Sequence, residues 1–173
     1  SYFTGHVNHH GIPGVEFSSG SLGHGLSVGL GMALAAKKNN QAYRVFLILS
    51  DGEMDEGSNW EAILAAGNWG LDNLTVLLDY NKIQSFGRVE EVMPLEPLAE
   101  KWRAFRWAAT EVNGHDFEDL LPALKAVSQE KFKPSVILAH TVKGKGVSFM
   151  EDKLEWHYLT PTLEQLDAAE SEL

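Results

Sequence analysis

The sequence predicts an α/β protein, with a parallel sheet and helices on both of its faces. Short apolar segments typical of strands alternate with segments of about 10–15 residues whose apolar residues have helical spacing. The composition agrees, since 44% of the 173 residues are hydrophobic and 22% are charged, which are ordinary values for a globular protein. We expect a single domain over residues 1–173.

The start of the chain reads as loop and then as a helix. Residues 1–19 are rich in glycine and histidine, and the chain opens on Ser1 rather than on methionine, so we expect that upstream residues are missing. A helix is predicted from Ser21 to about Lys38. Its many glycines indicate close backbone packing or a ligand at its start. They are Gly23, Gly25, Gly29 and Gly31.

The remaining elements alternate between strand and helix. Strands are predicted over 44–50 and 74–80, and Ser58 is expected to cap a helix from Trp60 to about Trp69 between them. The segment 135–141 is apolar enough to be a central strand. Further predictions are a helix near 95–105, a strand near 107–112, a helix near 117–130, and a last helix capped by Thr162 with Glu164 and Gln165 in its first turn.

Charge and composition exclude several classes of function. The 14 Lys and Arg residues face 24 Asp and Glu residues, and the formal charge of -10 argues against nucleic-acid or anionic-membrane partners, although one local basic patch remains open. The absence of cysteine excludes disulfides, thiolate chemistry and iron–sulfur sites. No apolar run approaches the length of a membrane span, and the N-terminus has no signal pattern. A cytoplasmic protein is expected.

Two polar residues follow consecutive predicted strands. Asp51, in Ser50-Asp51-Gly52-Glu53, ends the first strand, and Asn81 ends the second. Ligands of open parallel sheets bind at the carboxyl ends of strands. A carboxylate and a carboxamide are hard oxygen ligands, so the pair predicts a Mg²⁺ or Ca²⁺ ion held against a diphosphate. The alternative is an ordinary turn after each strand.

A glycine-rich segment, Ser18 to Gly25, leads directly into the first predicted helix. Its backbone amides could face an anion or a flat ring, as helix N-termini do. A plain turn with a helix cap explains it as well. A nucleotide-binding module is poorly supported, because no strand precedes the segment and the chain has no Gly-x-x-x-x-Gly-Lys-Ser/Thr loop.

Together these motifs resemble the thiamine-diphosphate-binding part of the transketolase family, close to the separately encoded N-terminal subunit of some bacteria. The spacing from Asp51 to Asn81 is similar to that of the family's thiamine motif, and Gly20-Ser21-Leu22-Gly23 resembles its aminopyrimidine loop. The segments 95–105 and 140–146 are also family-like. The resemblance therefore implies one thiamine diphosphate- and metal-binding domain, with thiamine diphosphate and Mg²⁺ (or Ca²⁺) as cofactors.

The resemblance implies roles for individual residues. Asp51 and Asn81 would bind the metal by their side chains, and Ile83 would bind it by its backbone carbonyl. Gly52 would face the diphosphate. The remaining implied cofactor contacts come from Gly20, Ser21, Leu22, Lys143 and His157. For Lys143, a solvated loop lysine remains the alternative.

Three residues are implied in catalysis. His157 resembles a histidine that contacts diphosphate and substrate, although Tyr158 follows it where the family usually has glycine. His6 resembles a histidine that contacts the hydroxyl groups of the substrate. Glu56 resembles a glutamate that couples paired active sites at the subunit interface, and an acid in the first turn of a helix is the alternative.

The implied activity is transfer of a two-carbon ketol unit from a ketose phosphate to an aldose. In the family, the glutamate that activates the aminopyrimidine belongs to a second, pyrimidine-binding domain. We therefore expect a hetero-oligomer with a separately encoded C-terminal transketolase subunit, and no activity in this chain alone. Deoxyxylulose phosphate synthase, a pyruvate-type dehydrogenase and a non-catalytic scaffold of the same fold remain alternatives.

Overall fold

The computed structural model describes residues 5–173, and its centre is a four-stranded parallel sheet. The strand order is β1-β2-β6-β5, and a short antiparallel hairpin, β3 with β4, follows β2. The strands are β1 (Val45–Ser50), β2 (Leu74–Tyr80), β3 (Ile83–Gln84), β4 (Gly87–Arg88), β5 (Ala108–Asn113) and β6 (Ser135–His140).

Six α-helices and two 3-10 turns connect and cover the strands in residues 5–173. No helix of this described part has both the length and the apolar character needed to cross a membrane. The 3-10 turns span Gly52–Asp55 and Leu154–His157. The helices are α1 (Gly25–Lys38), α2 (Gly57–Trp69), α3 (Val89–Val92), α4 (Leu98–Ala104), α5 (Phe117–Ala126) and α6 (Leu163–Glu172).

Each predicted main strand is present within one residue of its predicted bounds, and β6 lies inside the sheet as predicted. The prediction for the last helix is also confirmed, since the Thr162 hydroxyl accepts from the Gln165 amide and the Gln165 side chain accepts from the Thr162 amide. Such a capping box satisfies two backbone donors that the helix leaves unpaired.

Three helix boundaries differ from the prediction. Helix α1 begins at Gly25, because Gly23 adopts a left-handed φ of 81° that ends any helical path before it. The prediction that Ser58 caps α2 is wrong: Glu56 occupies the cap position, and the Ser58 hydroxyl instead donates to the carbonyl oxygen of Gly23 at 2.7 Å. Helix α5 ends at Ala126, earlier than predicted.

Helices lie on both faces of the sheet, as predicted, because alternate residues of each strand point to opposite sides. In β6, Val136 and Leu138 belong to a large core with α1, α2 and α4. Ile137 belongs to a smaller core with Val112 and Ala123 of α5. The second face is covered only partly, since Phe46 and Ile48 of the edge strand β1 remain 54% and 78% exposed.

Two glycines give a matched test of where close packing demands glycine. A Cβ on Gly31 in α1 would meet nothing within 4 Å, whereas a Cβ on Gly67 in α2 would collide with the carbonyl oxygen of Phe105. We expect Gly31→Ala to raise the free energy of unfolding by up to about 1 kcal/mol, because alanine favours helix. Gly67→Ala should lower it by about 1–3 kcal/mol, because the backbone must shift.

Urea denaturation of the two variants and the wild type measures both effects. Equal changes in the two variants, or stabilisation by Gly67→Ala, would contradict the packing described above.

Candidate functional site

Four segments that carry the predicted site residues meet at one edge of the sheet. Parallel strands place their carboxyl ends together, so the loops after β1, β2 and β6 converge there. The segment before α1 joins them through its contacts with the loop after β1. The segments are 5–24, 51–57, 81–88 and 141–157.

Asp51 connects the first two loops. Its side chain is 1% exposed; Oδ1 accepts from the Gly52 amide at 2.7 Å and Oδ2 from the Lys82 amide at 2.5 Å. Lys82 directly follows Asn81, so this carboxylate lies beside the loop tip that carries the predicted carboxamide. The parallel register, which pairs Ser50 with Asp79, sets this proximity.

Asn81 holds the second loop in a tight turn. Its Oδ1 accepts from the Ile83 amide at 3.0 Å, and its Nδ2 donates to Asp79 Oδ2 at 3.1 Å. Between them, Lys82 takes a left-handed φ of 67°. Asparagine side chains commonly bond backbone two residues ahead in this way. The turn therefore keeps the side chain of Asn81 and the backbone of Ile83 in one fixed unit.

Burial makes the carboxylates of the loop after β1 receptive to a cation. It raises the pKa of Asp51 to about 6, while amide hydrogen bonds from Lys82 and Gly52 oppose the rise. Burial also raises the pKa values of Glu53 and Asp55. A divalent cation would stabilise the ionised form of such carboxylates.

The oxygen donors at this edge fit a magnesium or calcium ion in chemical type. Within residues 5–173, no group of three or more His, Cys, Asp or Glu side chains is placed to hold a metal. The predicted metal ligands differ from such a group, since they are one carboxylate, one carboxamide and one backbone carbonyl. They would leave the remaining coordination positions to phosphate oxygens and water.

Gly52 occupies a position where a side chain does not fit. A Cβ there would lie 2.9 Å from the Cβ of Gln84, which is itself 7% exposed. The loops after β1 and β2 therefore approach each other through the bare backbone of Gly52. This contact with Gln84 accounts for the glycine in the structure, and the approach of its backbone to a diphosphate stays a prediction.

The glycine-rich loop is attached to the loop after β1 on one side. The Gly23 amide donates to Glu53 Oε1 at 3.0 Å, and a Cβ on Gly23 would lie 2.8 Å from the Cβ of Glu56. The ring of His6 lies directly against Gly20. Two predicted regions, the substrate histidine and the aminopyrimidine loop, are thus in contact, and Ser21 and Leu22 between them are exposed.

His157 and Lys143 lie on the segment after β6. His157 is exposed, but partial desolvation of its ring and then the positive charge of Lys143 lower its pKa from the ordinary value of 6.5. The same lysine charge lowers the pKa of Asp51. Lys143 therefore lies near both groups, and His157 is neutral and able to accept a proton at neutral pH.

Some residues of the site were not predicted from the sequence. Ser85 Oγ lies 3.1 Å from His157 Nε2, and the hydroxyl of Thr141 donates to Asp79. Asp79 could have been found from the sequence, because a charged residue is unusual in an otherwise apolar strand and this one lies two residues before Asn81. Ser85 and Thr141 could not, because their partners are distant in the sequence.

Glu56, the third residue predicted to take part in catalysis, lies against the glycine-rich loop. Glu56 is exposed at the N-cap position of α2, and its side chain makes no cap hydrogen bond. A Cβ on Gly23 would lie 3.1 Å from the Cγ of Glu56, and the ring of His6 lies against Gly20 of the same loop. An exposed position is compatible with the predicted interface role, which remains a prediction.

Comparison with known proteins gives the family. The sequence model of the family described as transketolase, thiamine diphosphate binding domain, matches residues 1–169. An apulose-4-phosphate transketolase subunit of Phocaeicola vulgatus is 44% identical over 162 residues, which cover 94% of this chain and 58% of that protein. The 6-deoxy-6-sulfo-D-fructose transketolase subunit of a Clostridium species is 44% identical over 160 residues, or 92% of this chain and 58% of that protein.

The fold has close relatives among solved structures. Transketolase of Campylobacter jejuni superposes with a TM-score of 0.87 at 30% identity, over 92% of this chain and 26% of that one. The predicted thiamine-diphosphate-binding fold is thus confirmed. The chain spans little more than half the length of the two transketolase subunits. Since the family model matches nearly all of its residues, the chain belongs to the transketolase thiamine diphosphate binding domain family.

Proposed function

We propose that the chain is the diphosphate- and metal-binding half of a transketolase that transfers a two-carbon ketol unit from a ketose phosphate to an aldose. The observation that carries the proposal is the buried Asp51 carboxylate, which accepts from the Lys82 amide beside Asn81. A metal bound here would lie between the ends of two adjacent parallel strands. That is the position from which a diphosphate is neutralised in open α/β sheets.

In this proposal, Asp51, Asn81 and the Ile83 carbonyl hold Mg²⁺ (or Ca²⁺), and Gly52 lets the backbone approach the diphosphate. The backbones of Gly20 to Leu22 contact the ring region. Thiamine diphosphate, when bound, supplies an electron sink for cleavage of a bond next to a carbonyl. The protein fixes its position, so that the reacting atoms meet in one geometry.

His157, His6 and Lys143 complete the proposed site. His157, kept neutral by partial desolvation and by the charge of Lys143, accepts or donates a proton at a substrate hydroxyl. His6, against Gly20, contacts substrate hydroxyl groups at the mouth of the loop. Lys143 places a positive charge near the anionic part of the cofactor and near Asp51.

A partner chain supplies the rest of the active site in this proposal. Two relatives are named as subunits, and this chain spans 58% of the length of each. We infer a hetero-oligomer with a subunit that carries the pyrimidine-binding domain, located in the cytoplasm. Those relatives' names specify apulose 4-phosphate and 6-deoxy-6-sulfo-D-fructose, so phosphorylated or sulfonated ketoses are the first donors to test.

Activity of the assembled complex tests the proposal. We expect the chain with a C-terminal transketolase subunit of the same organism to convert ketose phosphates, and the chain alone to be inactive. Turnover of pyruvate instead would favour a deoxyxylulose phosphate synthase or a pyruvate-type dehydrogenase. No thiamine diphosphate binding by the complex in calorimetry would favour a non-catalytic scaffold.

The same complex tests the metal ligand. Asp51→Asn should weaken the joint binding of thiamine diphosphate and Mg²⁺ by at least about 100-fold, because the proposed set loses its one carboxylate. Asp167→Asn removes the same charge at an exposed position of α6 and should leave binding unchanged. Equal affinities of the two variants would exclude Asp51 as a ligand.

Asp51 should also make the metal-free chain less stable as the pH rises. The pKa of Asp51 in the folded chain, about 6, exceeds the ordinary value of 3.8, so the folded state holds the proton more tightly than the unfolded state does. This proton-linked stabilisation is present at low pH and is lost as the pH rises from 3.8 through about 6. Asp51→Asn removes the effect. The free energy of unfolding of Asp51→Asn minus that of the wild type should therefore be about 2 kcal/mol more positive at pH 7 than at pH 4.

Urea denaturation in EDTA at the two pH values measures that difference. A difference independent of pH would show that Asp51 ionises normally in the folded chain.

The charge of Lys143 should be visible in the titration of His157. The pKa of His157, measured by NMR, should lie below 6.5, and Lys143→Met should raise it part of the way, because partial desolvation of the ring is the larger cause. Lys145→Met is the matched control, since Lys145 pairs with Glu151 at 3.0 Å. An unchanged pKa in Lys143→Met, or an equal rise in both variants, would contradict this placement.

A further inference from the structure

A cavity of about 390 Å³ lies at the opposite edge of the sheet from the candidate site. It is formed where α2 and α4 end and where β6 begins, so it lies at the amino ends of the strands. Its volume falls in the range of small-molecule pockets, about 300–1,000 Å³. Among its lining residues are Trp69, Gly70, Arg103, Arg106, Phe132 and Lys133.

The cavity concentrates uncompensated positive charge. Arg103, Arg106 and Lys133 line it, no acidic residue does, and none of the three forms an ion pair within residues 5–173. Asp72, on the loop beside it, is already engaged by Lys37 Nζ at 2.6 Å and by the Phe132 amide at 3.0 Å. In a chain of formal charge -10, this local excess of cations favours an anion.

The backbone around the cavity is fixed in an unusual conformation. Arg106 and Phe132 have left-handed φ angles of 67° and 64°, which few non-glycine residues adopt. The Arg106 amide donates to the Arg103 carbonyl at 2.9 Å, and the Arg103 guanidinium donates to the Ala109 carbonyl at 2.9 Å. The guanidinium of Arg103 and the backbone of Arg106 are therefore held in place before any ligand arrives, which reduces the entropic cost of binding.

Two exposed aromatic rings flank the cations. Trp69 is 50% exposed and Phe132 is 83% exposed. Trp69 also lines a neighbouring cavity of about 400 Å³ together with Lys37 and Lys38. Guanidinium groups bind phosphate with two parallel hydrogen bonds, and aromatic faces stack on flat rings. The combination fits a ligand that carries both a phosphate and a flat ring.

We propose that this cavity binds a phosphate ester carried on a flat ring, of the class of a nucleoside monophosphate. The phosphate lies against Arg103, Arg106 and Lys133, and the ring lies against Trp69 or Phe132. The site needs no glycine-rich phosphate loop, because side chains rather than backbone amides supply the donors. It is independent of the diphosphate site at the other edge of the sheet.

Titration of the 173-residue chain with three probes tests the proposal. Adenosine monophosphate, ribose 5-phosphate and inorganic phosphate are added in EDTA, and binding is followed by NMR of backbone amides and tryptophan indoles. We expect saturable binding in the millimolar range or tighter, in that order of decreasing affinity, with shifts at Trp69, Arg106 and Lys133. Shifts confined to the loops of Asp51 and Asn81, or no saturation by adenosine monophosphate, would overturn it.

Three variants separate the contributions. Arg106→Gly should weaken adenosine monophosphate about tenfold while keeping the fold, because glycine accepts the left-handed φ and only a charge-assisted contact is lost. Lys153→Ala, which removes a positive charge next to the 3-10 turn that carries His157, should leave the affinity unchanged. Trp69→Leu should weaken adenosine monophosphate and leave inorganic phosphate unchanged. Equal effects of Arg106→Gly and Lys153→Ala would also overturn the proposal.

Discussion

The contact on which the site depends is the buried carboxylate of Asp51 between two backbone amides. It accepts from Gly52 on its own loop and from Lys82 on the next, and so ties together the ends of β1 and β2. The same burial that makes this contact rigid also disfavours the negative charge and raises the pKa of Asp51 to about 6. The cation of the proposed function would stabilise the ionised carboxylate, and a rigid loop pair would present its proposed ligands in one arrangement.

The parallel sheet gives the two edges different chemistry. At the carboxyl edge, acidic and amide side chains follow β1 and β2, and the segment after β6 adds Lys143 and His157. At the amino edge, the ends of α2 and α4 bring Trp69, Arg103 and Arg106 together. Because every strand of the main sheet points the same way, these two groups of loops cannot mix. The fold thus keeps the proposed metal-dependent site and the proposed anion site at opposite edges of the sheet.

Much of the fold was predictable because it depends on local pattern. The apolar runs of β1, β2 and β6 are typical of strands whichever helices cover them, and the capping box of Thr162 needs only residues three positions apart. The failed prediction of the cap of α2 depends on a distant partner. Ser58 would cap a helix in isolation, but its hydroxyl bonds the carbonyl of Gly23, which is 35 positions away. Phe46 and Ile48 show no sequence sign that their face of β1 stays open.

The sequence alone determined the fold class and the two loop tips that carry Asp51 and Asn81, because apolar periodicity is a property of neighbouring residues, and its motifs carried the resemblance that indicated the family. Only the tertiary structure decided which groups touch: the amide of Lys82 on Asp51, Ser85 on His157, and His6 against Gly20. It also assembled the basic cavity from three segments spread over more than sixty positions, between Gly67 and Lys133. Burial and charge proximity depend on how loops converge in space, and the register of a parallel sheet fixes that convergence.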